Sequence, residues 1–278
     1  MTVRKMSRNL FGRVCSIEIQ DKFTREAKIY DAPPFTIDFE TDFGGNNQTI
    51  AKLYNPNEKT IKSIQGTKKG GITIYPTVII IAGYGGENGV VATGEIFDTK
   101  FVKSGVDRIL EMKIKENVSA IASAFVLKSY RNMPANAIIL DLIKVAGFKP
   151  EKKIVLGKPK TYSSFVAQDF RSALVSIATD TNSEYYFSGE RVGFRPIEQP
   201  PKPSIILLDE TSGLIGSPEK SNNKWKIKSL FRHKITKGIR VAVKSEMLES
   251  DILVEKGKHK FTSKGNDCYT EFEGKAVK

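Results

Sequence analysis

The chain is short of the side chains that carry out chemistry. Its 278 residues include two cysteines, two histidines and one tryptophan. Cys15 and Cys268 lie at opposite ends, and a disulfide framework needs more cysteines and an oxidising compartment, so both are expected to be reduced and structural. His233 and His259 are flanked by basic residues, with no Cys, Asp or Glu at ligand spacing. They read as surface or turn histidines, not as metal ligands. No apolar run approaches the roughly 20 residues of a membrane helix, and the apolar residues 78–82 read as a buried strand. No membrane insertion is expected. Residues 1–10 are basic without an apolar stretch, so no signal peptide is expected.

Sequence motifs of catalysis are missing as well. Residues 66–71 (GTKKGG) lack the spacing of a phosphate loop. Gly83-Tyr84-Gly85-Gly86 is not followed by a helix, as a dinucleotide site requires. Residues 180–184 begin like a calcium loop, but Tyr185 stands at the glycine position and Arg191 at the closing glutamate position. Ser217, in Gly-Ser-Pro, is not a nucleophile elbow. The expectation is a protein that is not an enzyme, with no catalytic residue, no metal site and no cofactor.

What is present is ordinary globular composition, 40% hydrophobic and 27% charged, with a net charge of +13 from 44 basic and 31 acidic residues. The excess is spread along the chain without a basic tail. It fits either a solvated surface or contact with a polyanion.

Patterning divides the chain into three. Residues 1–118 are strand-rich. Residues 14–19 alternate, as do 35–40, where Phe35, Ile37 and Phe39 face one way. Asn55 caps and Pro56 opens a short helix over 59–64. Residues 67–71 read as a polar loop, 72–82 as a strand, 83–89 as a glycine-rich turn, and 90–98 and 108–115 as strands. Residues 119–199 form a small α+β unit with helices over 135–146 and 164–178 and a hairpin of 184–187 with 192–196. No internal repeat stands out. Gln199-Pro200-Pro201-Lys202-Pro203 is a stiff linker, because proline restricts itself and its predecessor. Residues 200–278 are again strand-rich. The fold class is α+β, mainly β, with β-barrels at both ends of a small α+β domain.

Two stretches resemble a known family. Ile215, Gly216 and Pro218 are followed by Ser229, Leu230, Phe231, Ile235 and Gly238. Then come Val241, Val243 and Ser245, and finally His259, Gly265, Tyr269, Thr270 and Glu271. This order resembles the closing domain of baseplate hub proteins of phage tails, with Cys268-Tyr269 at the position of an expected aromatic. TVIIIAGY from Thr77 to Tyr84, then Glu95-Ile96-Phe97 and Asp107-Arg108-Ile109, resembles phage tail proteins too, with Asp98 where a glycine is expected. The resemblance implies that 1–118 and 200–278 are tail-tube-like barrels. Three copies would set six barrels in a ring, joining a six-fold tail tube to a three-fold spike and forming part of the conduit for genome ejection. It implies a homotrimer in the baseplate of the virion tail, assembled in the host cytoplasm. The implied partners are the tail tube protein, the spike protein, the tape-measure protein and DNA passing through the lumen.

The charge then belongs on outer and subunit-facing surfaces, since a strongly basic lumen would hold phosphates. Lys224, Lys226, Lys228, Lys234 and Lys237, with Trp225 among them, are the expected partner interface. The alternative function is a basic β-barrel nucleic-acid-binding protein. Tyr185, Tyr186 and Phe187 are the densest aromatic cluster for stacking bases, though their succession reads as alternate faces of one strand.

Overall fold

The computed structural model describes residues 12–21, 27–44, 47–64, 67–69, 72–115, 126–188, 191–197 and 206–277. The expected boundary at 118/119 and the proline-rich linker lie outside the described residues, as does the N-terminal decapeptide. The chain forms two compact units. One combines Met1–Glu116 with Lys202–Lys278, and the other is Asn117–Pro201.

The first unit opens with β1 (Arg13–Gln20), β2 (Ala27–Ala32), β3 (Ile37–Phe43), β4 (Gln48–Tyr54), α1 (Glu58–Ile64), the small pair β5 (Thr67–Lys69) and β6 (Ile72–Ile74), β7 (Thr77–Tyr84), β8 (Glu87–Ser104) and β9 (Asp107–Lys115). The second unit contains β10 (Lys128–Pro134), α2 (Ala135–Val145), β11 (Lys149–Pro150), β12 (Thr161–Ala167), α3 (Phe170–Asp180), β13 (Ser183–Ser188) and β14 (Arg191–Pro196). The chain then returns to the first unit with β15 (Ile206–Leu208), β16 (Glu219–Ser221), β17 (Lys224–Leu230), β18 (Arg240–Lys244), β19 (Glu249–Thr262) and β20 (Tyr269–Val277).

In the first unit, 13 strands form one sheet in the order β16-β17-β20-β19-β3-β4-β9-β8-β7-β1-β2, with β18 on β19 and β15 on β18. The fold is mainly β, as the patterning predicts. Among the described residues no ladder joins β16 to β2, so closure into barrels is not seen. The long strand β19 connects the two ends of the chain. Its first half pairs with β18, and its second half pairs with β3, Phe261 opposite Phe39.

Two cores lie on either side of this junction. One gathers Ile17, Ile37, Leu53, Val78, Ile80, Met112 and Ile114 with Phe231 and Phe261. The other gathers Ile206, Ile227, Val241, Val243, Ile252, Val254 and Phe272. Phe39 stacks on Phe261 at 5.3 Å between centroids, and Phe231 meets both rings edge-on. Burying each ring contributes roughly 1.5–3 kcal/mol, and each aromatic pair about 0.5–1.5 kcal/mol more. These three rings therefore hold together segments some 190 to 220 residues apart in sequence.

The second unit is built twice over from strand, helix and strand. β10-α2-β11 and β12-α3-β13 each give one strand to the β10–β12 pair and one to the β11-β14-β13 sheet. Both helices are 11 residues long and bury the same positions: Ala135, Ile138, Ile139, Leu142 and Ile143 in α2, and Phe170, Ala173, Leu174, Ile177 and Ala178 in α3. This repeat is hidden in the sequence because only the periodicity recurs. The helix expected over 164–178 is corrected: Thr161–Ala167 is strand β12, and α3 starts at Phe170. Asp169 sets that start, its carboxylate accepting from the Ser172 N–H at 2.8 Å, an N-cap that leaves the preceding residues extended.

Candidate assembly interface

The residues expected to form an interface occupy two separate places. On β17 the alternation turns Lys224, Lys226 and Lys228 outward, while Ile227 and Ser229 are buried. Trp225 is half-buried against the second core, with the Lys220 ammonium 5.7 Å from its ring. Lys234 and Lys237 lie instead at exposed positions of the connection to β18, whose Phe231, Arg232 and Ile235 are buried. The structure thus brings the three β17 lysines together but does not gather all six residues into one patch.

These lysines are largely engaged within the chain. Lys224 Nζ lies 2.7 Å from Glu255, which also takes Lys275 at 2.9 Å. Lys226 meets Glu271 at 3.3 Å, Lys234 meets Glu87 at 3.1 Å, and the Lys228 ammonium sits 4.0 Å above the Tyr269 ring. Lys256–Glu273 and Lys258–Glu40 continue the pattern across neighbouring strands, and Lys260 meets Asp267 in the turn before β20. Basic and acidic strands therefore alternate on the outer face of β17-β20-β19-β3. Burial pushes the Glu255 carboxyl up, but hydrogen bonds from Lys224 and Lys275 outweigh it and leave the group below its usual range. Such exposed pairs contribute little stability. They do make the face nearly neutral at short range.

A shallow groove of about 320 Å³ lies on this face, lined by Asp42, Phe43, Lys256, Gly257, Lys258 and Glu271 among others. Gly257 makes it possible: a Cβ there would stand 2.4 Å from the Glu271 carbonyl and 2.5 Å from the Phe43 ring. Among the described residues, no three of His, Cys, Asp and Glu are grouped to hold a metal ion. Asp180, in the segment that begins like a calcium loop, is taken by Lys160 at 2.7 Å and by the Tyr162 hydroxyl at 2.8 Å.

The reading of His259 as a surface histidine is corrected. Its ring is 1% exposed. On β19 the alternation Lys258-His259-Lys260 points the lysines outward and the imidazole inward, against Phe43 and Phe231. Nδ1 meets the Thr270 hydroxyl at 2.9 Å, and that hydroxyl also accepts from the Arg232 N–H. Nε2 is buried without a well-formed hydrogen bond. Burial, followed by the neighbouring His233, pushes the imidazole down to about 3, so it is neutral. The Arg232 side chain is buried as well, and its guanidinium donates to the Ser212 carbonyl. Burial lowers that group too. This is a structural polar cluster at the junction of the two cores.

The feature that sequence reading missed is β8. A strand over 90–98 is expected, but β8 runs 18 residues, from Glu87 to Ser104. Glu87–Glu95 has β7 on one side, while Asp98–Ser104 pairs only with β9. Its other edge has no strand partner among the described residues. A bulge between Ile96 and Asp98 turns this extension out of the core, as bulges do. Phe101 on it is 47% exposed and Val106 at the tip 96%. The sequence signal is faint: residues 99–104 show no apolar alternation, and only Gly105, with φ +61°, marks the tight turn into β9. An unpaired edge with exposed apolar side chains is an aggregation hazard unless another chain covers it.

No protein family model matches the sequence, and no curated protein matches it. Solved structures do. A 43 kDa tail protein of prophage MuSo2 from Shewanella oneidensis superposes with a TM-score of 0.64 at 9% identity, over 95% of this chain and 98% of that one. A tail protein from Neisseria meningitidis gives 0.61 at 12% identity, over 95% and 97%. The E. coli c3393 protein gives 0.57 at 8% identity, over 87% and 74%. It is a type VI secretion component described as similar to the T4 tail proteins gp27 and gp5. The first two matches run nearly end to end in both chains, and the fold of this chain is that of phage tail proteins.

Proposed function

We propose that the chain is a structural baseplate hub of a phage or phage-like tail. Three copies form a ring, with 1–118 and 200–278 as its tube-like halves, that joins a six-fold tube to a three-fold spike and surrounds part of the ejection conduit. Its partners are then itself, the tail tube protein, the spike protein and the tape-measure protein, and it acts without catalysis. The observation that carries this reading is the free edge of the β8 extension, in a chain with a tail-protein fold. A subunit of a closed ring needs open hydrogen-bonding edges and apolar contacts that a neighbour completes. The twin cores on either side of β19 support the division into two halves.

Sedimentation equilibrium tests this. The wild-type protein should show three times the chain's 30.9 kDa at micromolar concentration. Phe101→Lys with Val106→Lys, two changes at exposed positions, should give a folded monomer. A wild-type monomer that stays monomeric at high concentration speaks against a hub.

A further inference from the structure

The second unit carries exposed lysines, Lys152, Lys153 and Lys158, that have no ion pair among the described residues, unlike the lysines of β17. After β11 the chain continues beside β14. The Glu151 N–H bonds to the Val192 carbonyl, and the Val155 N–H to the Phe194 carbonyl. Between these bonds the chain advances four residues while β14 advances two, so 152–154 bulge outward. Ile154 turns in and packs on the core, which leaves Lys152 and Lys153 exposed. At one end of the bulge Lys149 lies opposite Arg191, whose guanidinium donates to the Pro150 carbonyl at 3.0 Å. At the other end Gly157 is held by the Ser183 hydroxyl and Lys158 by the Thr181 carbonyl, which fixes the exposed Lys158 beside β13. Lys152, Lys153 and Lys158 have no ion pair among the described residues. Glu151 is the acidic side chain within 149–158; burial first, and then this carboxylate, raises the pKa of the Tyr186 phenol.

We infer that this basic bulge, carried by Lys152, Lys153 and Lys158, is a contact surface for the phosphate backbone of duplex nucleic acid. The argument against an acidic protein partner is the lack of an anchor. Protein interfaces draw their energy from apolar and aromatic groups in desolvated pockets; here Ile154 and Leu156 pack inward, and the one exposed large apolar side chain near the cluster among the described residues, Ile197 at the end of β14, stands alone without a pocket. Exposed lysines on irregular backbone, with nothing to read base edges, match phosphates without sequence preference. The cluster runs along β14 from Arg191 to Pro196, about 16 Å at roughly 3.3 Å per residue. A duplex of that length carries about nine phosphates, of which roughly a third face one side, so about three contacts form.

The test is fluorescence anisotropy of the full chain with 20-base-pair DNA duplexes of two unrelated sequences, from 50 to 200 mM salt. Wild type should bind both equally, with log affinity falling against log salt with a slope of about −3. K152A/K153A/K158A should bind at least tenfold more weakly, with a slope nearer −1. K224A/K226A/K234A removes the same charge from internally paired lysines and should stay within twofold of wild type. Circular dichroism verifies folding of both variants. Equal losses in the two variants would reduce the effect to net charge and overturn the inference. So would no binding at 50 mM salt, or tighter binding of polyglutamate than of DNA, which would point to an acidic protein instead.

Discussion

Replacing His259 with phenylalanine should remove a specific part of the protein's acid sensitivity. The imidazole is fully buried, neutral, and held near 3, whereas in the unfolded chain it titrates near 6.5. At pH 7.5 the ring is neutral in both states and adds nothing to the pH dependence. Below 6.5 the unfolded chain takes up a proton that the native core refuses, so stability falls as pH falls until about pH 3. One pH unit in that window corresponds to about 1.4 kcal/mol, so moving from pH 7.5 to 5.0 costs the wild type about 2 kcal/mol through this group. Carboxylates, with ordinary values near 4, remain mostly ionised at pH 5.0, and His233, whose pKa burial also lowers, acts alike in both proteins. Phenylalanine keeps the contacts with Phe43 and Phe231 and loses the bond to Thr270, at about 1 kcal/mol near neutrality. The assay is urea unfolding at both pH values, followed by Trp225, the single tryptophan, which reports on the first unit. The wild type should lose about 2 kcal/mol more than the variant between pH 7.5 and 5.0. Equal losses would refute the buried neutral imidazole.

Three further outcomes follow from other parts of the molecule. Gly257→Ala places a Cβ 2.4 Å from the Glu271 carbonyl, where only backbone movement gives relief, so it should destabilise the first unit by about 2–3 kcal/mol in the same assay. Cys15 and Cys268 are both buried, and burial raises both thiols, that of Cys268 to about 11; a thiol reagent at pH 8 should leave them unmodified in the native protein and label both in denaturant. In the second unit the Tyr130 hydroxyl donates to Asp141 at 2.6 Å, with Lys128 on the same carboxylate oxygen; Tyr130→Phe should cost about 1.5–3 kcal/mol, read as a fall in the melting temperature of that unit by circular dichroism.

Much of the strand content was legible because half-buried strands alternate. Ile37 and Phe39 face inward as their spacing predicts, and the hairpin of β13 and β14 falls where its turn signal stands. Helix α2 was legible from Ile138, Leu142 and Gly147. What stayed hidden depended on distance or on competition between patterns. That β19 would pair with β3, 214 to 224 residues earlier, is written in no local window, since either strand could satisfy its edge elsewhere. Residues 164–167 carry apolar side chains at spacings that suit a helix as well as a strand, and the Asp169 cap decides between them. Residues 67–71, expected as a loop, contain the β5 side of a small hairpin. His259 was misread because its lysine neighbours suggested a solvated segment, when alternation on a strand separates the three. The interface lysines stand out in the sequence by charge alone, which does not show that Glu255, Glu271 and Glu87 stand opposite Lys224, Lys226 and Lys234.

The assembly reading is tested most directly by the symmetry of the purified particle. Electron-microscope class averages of the wild-type protein should show closed three-fold rings around a central opening, and the Phe101→Lys, Val106→Lys variant should show none. Two-fold or asymmetric particles for the wild type, or rings that persist in the variant, would contradict an assembly closed through the free edge of β8.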